Sequence, residues 1–108
     1  MKTVTSLLTT AVLLSLAAGP VSAETAWQKT HPRREQVNDR LANQNRRIAN
    51  EVKEGDITKG QARALHKEDR QIRQEERDMA SQNGGHITTG EQKVLNQQLN
   101  GVSKKIGQ

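Results

Sequence analysis

Gly55-Asp56-Ile57-Thr58-Lys59-Gly60-Gln61 returns thirty residues later as Gly85-His86-Ile87-Thr88-Thr89-Gly90-Glu91. The first Gly, the Ile, the first Thr and the second Gly coincide, and the register runs on to Leu65/Leu95 and Ile72/Val102, so the stretch is an internal repeat. In each copy a Thr stands three residues before a Gln or Glu: Thr58 before Gln61, Thr88 before Glu91. That is the spacing of a capping box, in which the Thr hydroxyl accepts from the third helical N–H while the longer side chain reaches back to the Thr N–H. Each copy therefore starts a helix. Gly55 and Gly85 suit the preceding turn, and Ile57 and Ile87, just outside the caps, are placed to pack inward. Capping leaves Gly60 and Gly90 unexplained. A Gly in a helix costs roughly 1 kcal/mol relative to Ala, which the close approach of another backbone would justify.

Outward from the first copy, Leu65, Ile72 and Met79 recur at sevens with Ala62 and Ala80 on the same face, and Glu and Arg fill the others. This predicts a helix over 59–81, stopped by Asn83-Gly84-Gly85. After the second copy, Leu95, Leu99, Val102 and Ile106 are spaced four, three and four, predicting a helix over 89–106. Before the first copy, Pro32 suits a first helical position, and Val37, Leu41, Ile48 and Val52 share a face of a helix over 32–53. Gln44 and Asn45 interrupt that stripe, so two short apolar patches are expected there. The fold class is all-α: one helical domain, 32–108, of three amphipathic helices forming a hairpin array or small bundle. A homodimer in which the seams complete one another between chains is the alternative closure. Residues 24–31 hold the lone Trp27 without periodicity and are expected to be a flexible tail.

The first residues have another character. Lys2, an apolar run from Leu7 to Ala18, Gly19-Pro20 and the small-residue site Val21-Ser22-Ala23 follow the order of a secretory signal peptide. The expectation is a signal peptide over 1–23 and a periplasmic or secreted product beginning at Glu24, with no transmembrane anchor in the mature form, because the apolar run is shorter than the roughly 20 residues a spanning helix needs. Such a chain has no Cys, so packing alone must hold it together.

Lys and Arg number 17 against 12 Asp and Glu, a formal net charge of +5. The excess sits in the first helix, where Arg33, Arg34, Arg40, Arg46 and Arg47 form a candidate basic binding face. The expected partners are unfolded or envelope proteins, or anionic envelope polymers. Nucleic acid is not expected, because Trp27 is the only aromatic residue and no stacking platform can be built. Catalysis is not expected either. His31, His66 and His86 lie in different elements without metal-ligand spacing, and the neighbouring pairs Glu68/Asp69 and Glu75/Glu76 point to different faces of a helix. No catalytic residue, metal site or cofactor is assigned.

Two resemblances attach to the repeat. Ile57-Thr58-x-x-Gln61 and Ile87-Thr88-x-x-Glu91 resemble the paired LTxxQ motifs of the Spy and CpxP family of small periplasmic proteins, with Ile for Leu and, in the second copy, Glu for Gln. That resemblance implies an ATP-independent chaperone or envelope-stress factor with a basic, partly apolar concave surface. Gly85, Ile87, Thr88 and Glu91 also resemble the back half of an EF-hand calcium loop. Counting back gives Ala80, Gln82 and Gly84 in one copy and Asn50, Val52 and Glu54 in the other, so most of the oxygen ligands such a loop needs are missing. The expected function is that of a non-enzymatic exported protein that binds proteins or envelope components and is chaperone-like. The alternatives are a degenerate calcium-binding protein and a self-associating structural protein.

Overall fold

A computed structural model describes residues 24–107. The signal peptide expected over 1–23 lies outside them. Four helices follow in order: α1 (Ala26–Thr30), α2 (Pro32–Lys53), α3 (Lys59–Ser81) and α4 (Thr89–Ile106). The three long helices have the predicted bounds, because their start and stop signals are local. At Thr58 and Thr88 both halves of the capping box form: each hydroxyl accepts from the N–H of Gln61 or Glu91 at 3.0 Å, and each Thr N–H donates back at 2.7 and 2.8 Å. Pro32 occupies the first turn of α2.

The end of α2 is a Schellman turn. Gly55 takes φ +82°, its N–H donates to Val52 O, and the Asp56 N–H donates to Glu51 O. After α3, Gly84 and Gly85 take φ +65° and +94°, and the Gly85 N–H donates to Ala80 O at 2.8 Å. Those turns reverse the chain, so α2 and α4 each run antiparallel to α3 and parallel to one another. Cross-links fix the register: Asn45 to His66 between α2 and α3, Gln36 to Asn96 between α2 and α4, Glu75 to Gln98 between α3 and α4. Every pair of long helices is in contact, so the hairpin array closes into a three-helix bundle within one chain.

The core contains Val37, Leu41 and Ile48 from α2, Ala62, Leu65, Ile72 and Ala80 from α3, and Leu95, Leu99, Val102 and Ile106 from α4, with Ile87 closing one end. Ile57, Val52 and Met79 pack against it. Buried positions follow one another in steps of three or four along each helix, the seam pattern of coiled coils. Three of them are polar: Gln44, Asp69 and Glu76, each 2% exposed or less.

Three expectations are corrected. The α2 stripe is not split into two patches, because Gln44 fills the missing step and donates from Nε2 to Leu99 O at 2.7 Å. Asp69 and Glu76 do not join the solvated faces of α3; they sit at seam positions between Leu65, Ile72 and Ala80. Nor, among the described residues, does another backbone approach Gly60 or Gly90. A Cβ on Gly60 would meet only the Thr58 hydroxyl and the Arg63 side chain, at 3.7 and 3.8 Å, and one on Gly90 only the Thr88 hydroxyl.

Candidate functional site

One end of the bundle gathers residues that the sequence holds far apart. Thr25 opens α1 with a third capping box: its hydroxyl accepts from the Gln28 N–H, and its own N–H donates to Gln28 Oε1 at 2.7 Å. The segment expected to be a flexible tail thus begins as a capped helical turn, and it carries Trp27 onto the bundle. The Trp27 ring stacks on His31 at 4.3 Å between centroids, and the other face of His31 stacks on His86 at 4.5 Å. Arg34 lies 5.1 Å from the Trp27 ring centre, within cation–π range. His31 is held by Thr30 Oγ1 and Trp27 O at its Nδ1.

Arg34 connects this stack to the core. Its Nε donates to Glu76 Oε2 at 2.7 Å, and its Nη1 donates to Gly85 O at 3.0 Å. A carboxylate buried to 1% exposure thereby meets a guanidinium that keeps 17% exposure. The stacked imidazoles are a poor pair of metal ligands, because their in-plane lone pairs lie in nearly parallel planes that do not converge on one ion. His66 is elsewhere, bonded to Asn45.

The five arginines of the predicted basic face do not form one surface. Arg34 is the partner of Glu76. Arg46 reaches Asn43 on its own helix. Arg33, Arg40 and Arg47 stand at sevens along α2 and all bond across to α4 or the loop before it. Arg33 Nε donates to Ile87 O at 2.6 Å, Arg40 donates to Asn96 and Asn100, and Arg47 donates to Ser103 Oγ at 2.8 Å. Their acceptors are all uncharged. The two ion pairs among the described residues, Arg34–Glu76 and Lys105–Glu68, include none of the three.

Beside this row the α2–α4 groove is lined by amides. Gln36 and Asn96 exchange hydrogen bonds, and Gln92 donates to Gln36 Oε1. With Lys93 and Asn100 they border an open groove of about 530 Å³. A second open groove, of about 320 Å³, runs between α3 and α4 past Glu68, Glu75 and Lys105.

The capping residues Thr58, Gln61, Thr88 and Glu91 are occupied in starting helices; Glu91 also accepts from Asn83 Nδ2. At the α2–α3 turn Glu51, Glu54 and Asp56 bring carboxylate oxygens within 4.8 Å of one another. Partial burial, and then the charges of Asp56 and Glu54, raise the Glu51 carboxyl above its ordinary range. Only Glu54 belongs to the register in which the calcium-loop resemblance would place ligands. The neighbouring acids Glu68/Asp69 and Glu75/Glu76 do point apart: Asp69 and Glu76 enter the core, whereas Glu68 and Glu75 bond to Lys105 and Gln98 of α4.

Sequence reasoning missed the Trp27–His31–His86 stack, whose members belong to a tail, a helix boundary and a loop. The Thr25-x-x-Gln28 spacing was the signal that could have found its first turn. Comparisons of the chain with family models, with curated proteins and with solved structures find no match.

Proposed function

We propose that this is a non-enzymatic exported protein that binds envelope components through its polar, cationic surface. The observation that carries this reading is the row Arg33, Arg40 and Arg47. Each guanidinium is oriented by uncharged oxygens, so its position is held while its charge stays available to an anionic partner. Export is supported by the leader-like order of residues 1–23. Closure of the apolar seams favours polar contacts over apolar ones. Among the described residues, Trp27 and Val94 are the exposed large apolar side chains, and they lie on different elements.

A chaperone-like role is the second reading, favoured by the polar residues in the core. Asp69 and Gln44 bury oxygens that find no hydrogen-bond donor among the described residues. Burying such groups costs stability, so the bundle opens more readily than an all-apolar one would and exposes its seams to an unfolded chain. The two readings separate in one assay, the aggregation of a reduced, unfolded client with the purified protein at low and high salt. Suppression lost at high salt supports the cationic surface, whereas suppression that survives salt and strengthens in mild urea supports opened seams. No suppression, together with no binding to any anionic polymer or vesicle, removes both.

A further inference from the structure

The α2–α4 groove has features that general basicity does not supply. Arg33, Arg40 and Arg47 are seven residues apart, so their Cα atoms follow one another at about 10.5 Å along α2, and Arg40 bonds Asn96 and Asn100, which line the groove. Hydrogen bonds to Ile87 O, Asn96 and Asn100, and Ser103 hold each guanidinium in place. Between and beside them lie the carboxamides of Gln36, Gln92, Asn96 and Asn100, which offer donors and acceptors of no net charge. A regularly spaced cation row along a strip of amides matches a strand on which acidic groups alternate with hydroxyls and amides.

We infer that the α2–α4 groove binds an extended anionic glycan carrying one acidic group per disaccharide, with Arg33, Arg40 and Arg47 each meeting an acidic group and the amide strip meeting the hydroxyls between them. This rests on the binding function proposed above and names its ligand class. The spacing favours a glycan, because an extended disaccharide advances by a distance comparable to two helical turns. A flat anionic membrane would be met equally well by any exposed cations. The chain offers a built-in contrast, since Arg63, Arg70 and Arg77 also stand at sevens, on the exposed face of α3.

The test uses a hyaluronan decasaccharide, which has one carboxylate per disaccharide, as the probe for the purified protein at near-physiological salt. In ¹H–¹⁵N spectra, the shifts on titration are expected at the Nε–H groups of Arg33, Arg40 and Arg47 and at the side-chain amides of Gln36, Asn96 and Asn100. Calorimetry on Arg33→Gln/Arg40→Gln/Arg47→Gln should show affinity lower by about tenfold or more, and Arg63→Gln/Arg70→Gln/Arg77→Gln, with the same loss of charge, should change it by less than about threefold. Because the first triplet braces the bundle, the single variants Arg40→Lys and Arg47→Lys, checked for helix content, should each weaken binding with the charge retained. Equal losses from the two triplets, or shifts centred on α3, overturn the site. Binding to phosphatidylglycerol vesicles in preference to hyaluronan overturns the glycan assignment and leaves the binding function standing. If hyaluronan, vesicles and an unfolded client all fail to bind, the proposed function falls with it.

Discussion

Arg34 and Glu76 meet across the α2–α3 interface at 2.7 Å, and the same guanidinium bonds Gly85 O and lies over Trp27. One side chain therefore ties the core of α3, the α3–α4 loop and the first helical turn together. Removing it leaves the Glu76 carboxylate buried without its counter-charge, which costs about 3–5 kcal/mol for a fully desolvated pair. Arg34 keeps some exposure, so the lower end of that range is expected for Arg34→Met. The double variant Arg34→Met/Glu76→Leu should recover most of the loss. Urea unfolding of the two single variants and the double variant checks this; a double variant as unstable as Arg34→Met contradicts it.

Asp69 is buried at a seam position with neither carboxylate oxygen hydrogen-bonded among the described residues. Burial, and next the Glu68 charge, raise its carboxyl from an ordinary 3.8 to about 6, with Arg73 opposing. The folded chain thus holds this proton more tightly than the unfolded chain. Its contribution to stability is fully present below about pH 4 and is lost as pH rises through about 6, a difference of up to about 3 kcal/mol. Asp69→Asn should remove this slope and exceed the parent in stability at pH 7.5. Subtracting the two urea-unfolding profiles isolates the group, and a difference that does not vary with pH refutes the assignment.

Gly60 and Gly90 sit in first turns where a Cβ would make only ordinary contacts. Gly60→Ala and Gly90→Ala should each stabilise the bundle by about 0.5–1 kcal/mol, since the substitution restricts the unfolded chain without disturbing the folded one. The sites are far apart, so their effects should add. Thermal unfolding of the two variants and their combination measures this; destabilisation by either points to a role outside the described contacts.

Gln44 gains one bond, to Leu99 O, and its Oε1 finds no donor among the described residues. Gln44→Leu completes the apolar stripe of α2 and should stabilise by about 1–2 kcal/mol, whereas Gln44→Ala leaves a cavity and should destabilise by about 1–2 kcal/mol. If Gln44 also specifies how α2 aligns with α4, the Leu variant will show broadened or doubled amide resonances despite its greater stability.

The repeat was legible because capping is local. Thr58 and Gln61, like Thr88 and Glu91, are three residues apart, and that spacing suffices to place their hydrogen bonds. The glycine turns and the steps of three and four in α4 were readable for the same reason. The polar core was not, because a Gln, Asp or Glu at a seam position reads as a gap in the stripe, and only the facing helix shows that it is enclosed. The five arginines of α2 read as one basic face; cross-helix acceptors divide them into a core partner, a surface side chain and a braced row of three.

By itself the sequence determined the number of long helices, their bounds and the apolar stripe each presents, since these depend on residues within a few turns of one another. The tertiary structure decided that the seams close within one chain, that Asp69, Glu76 and Gln44 lie inside the closure, and that Trp27, His31 and His86 stack at one end. Those outcomes depend on the register between helices. Register arises from the fit of three surfaces at once, and no single stripe contains it.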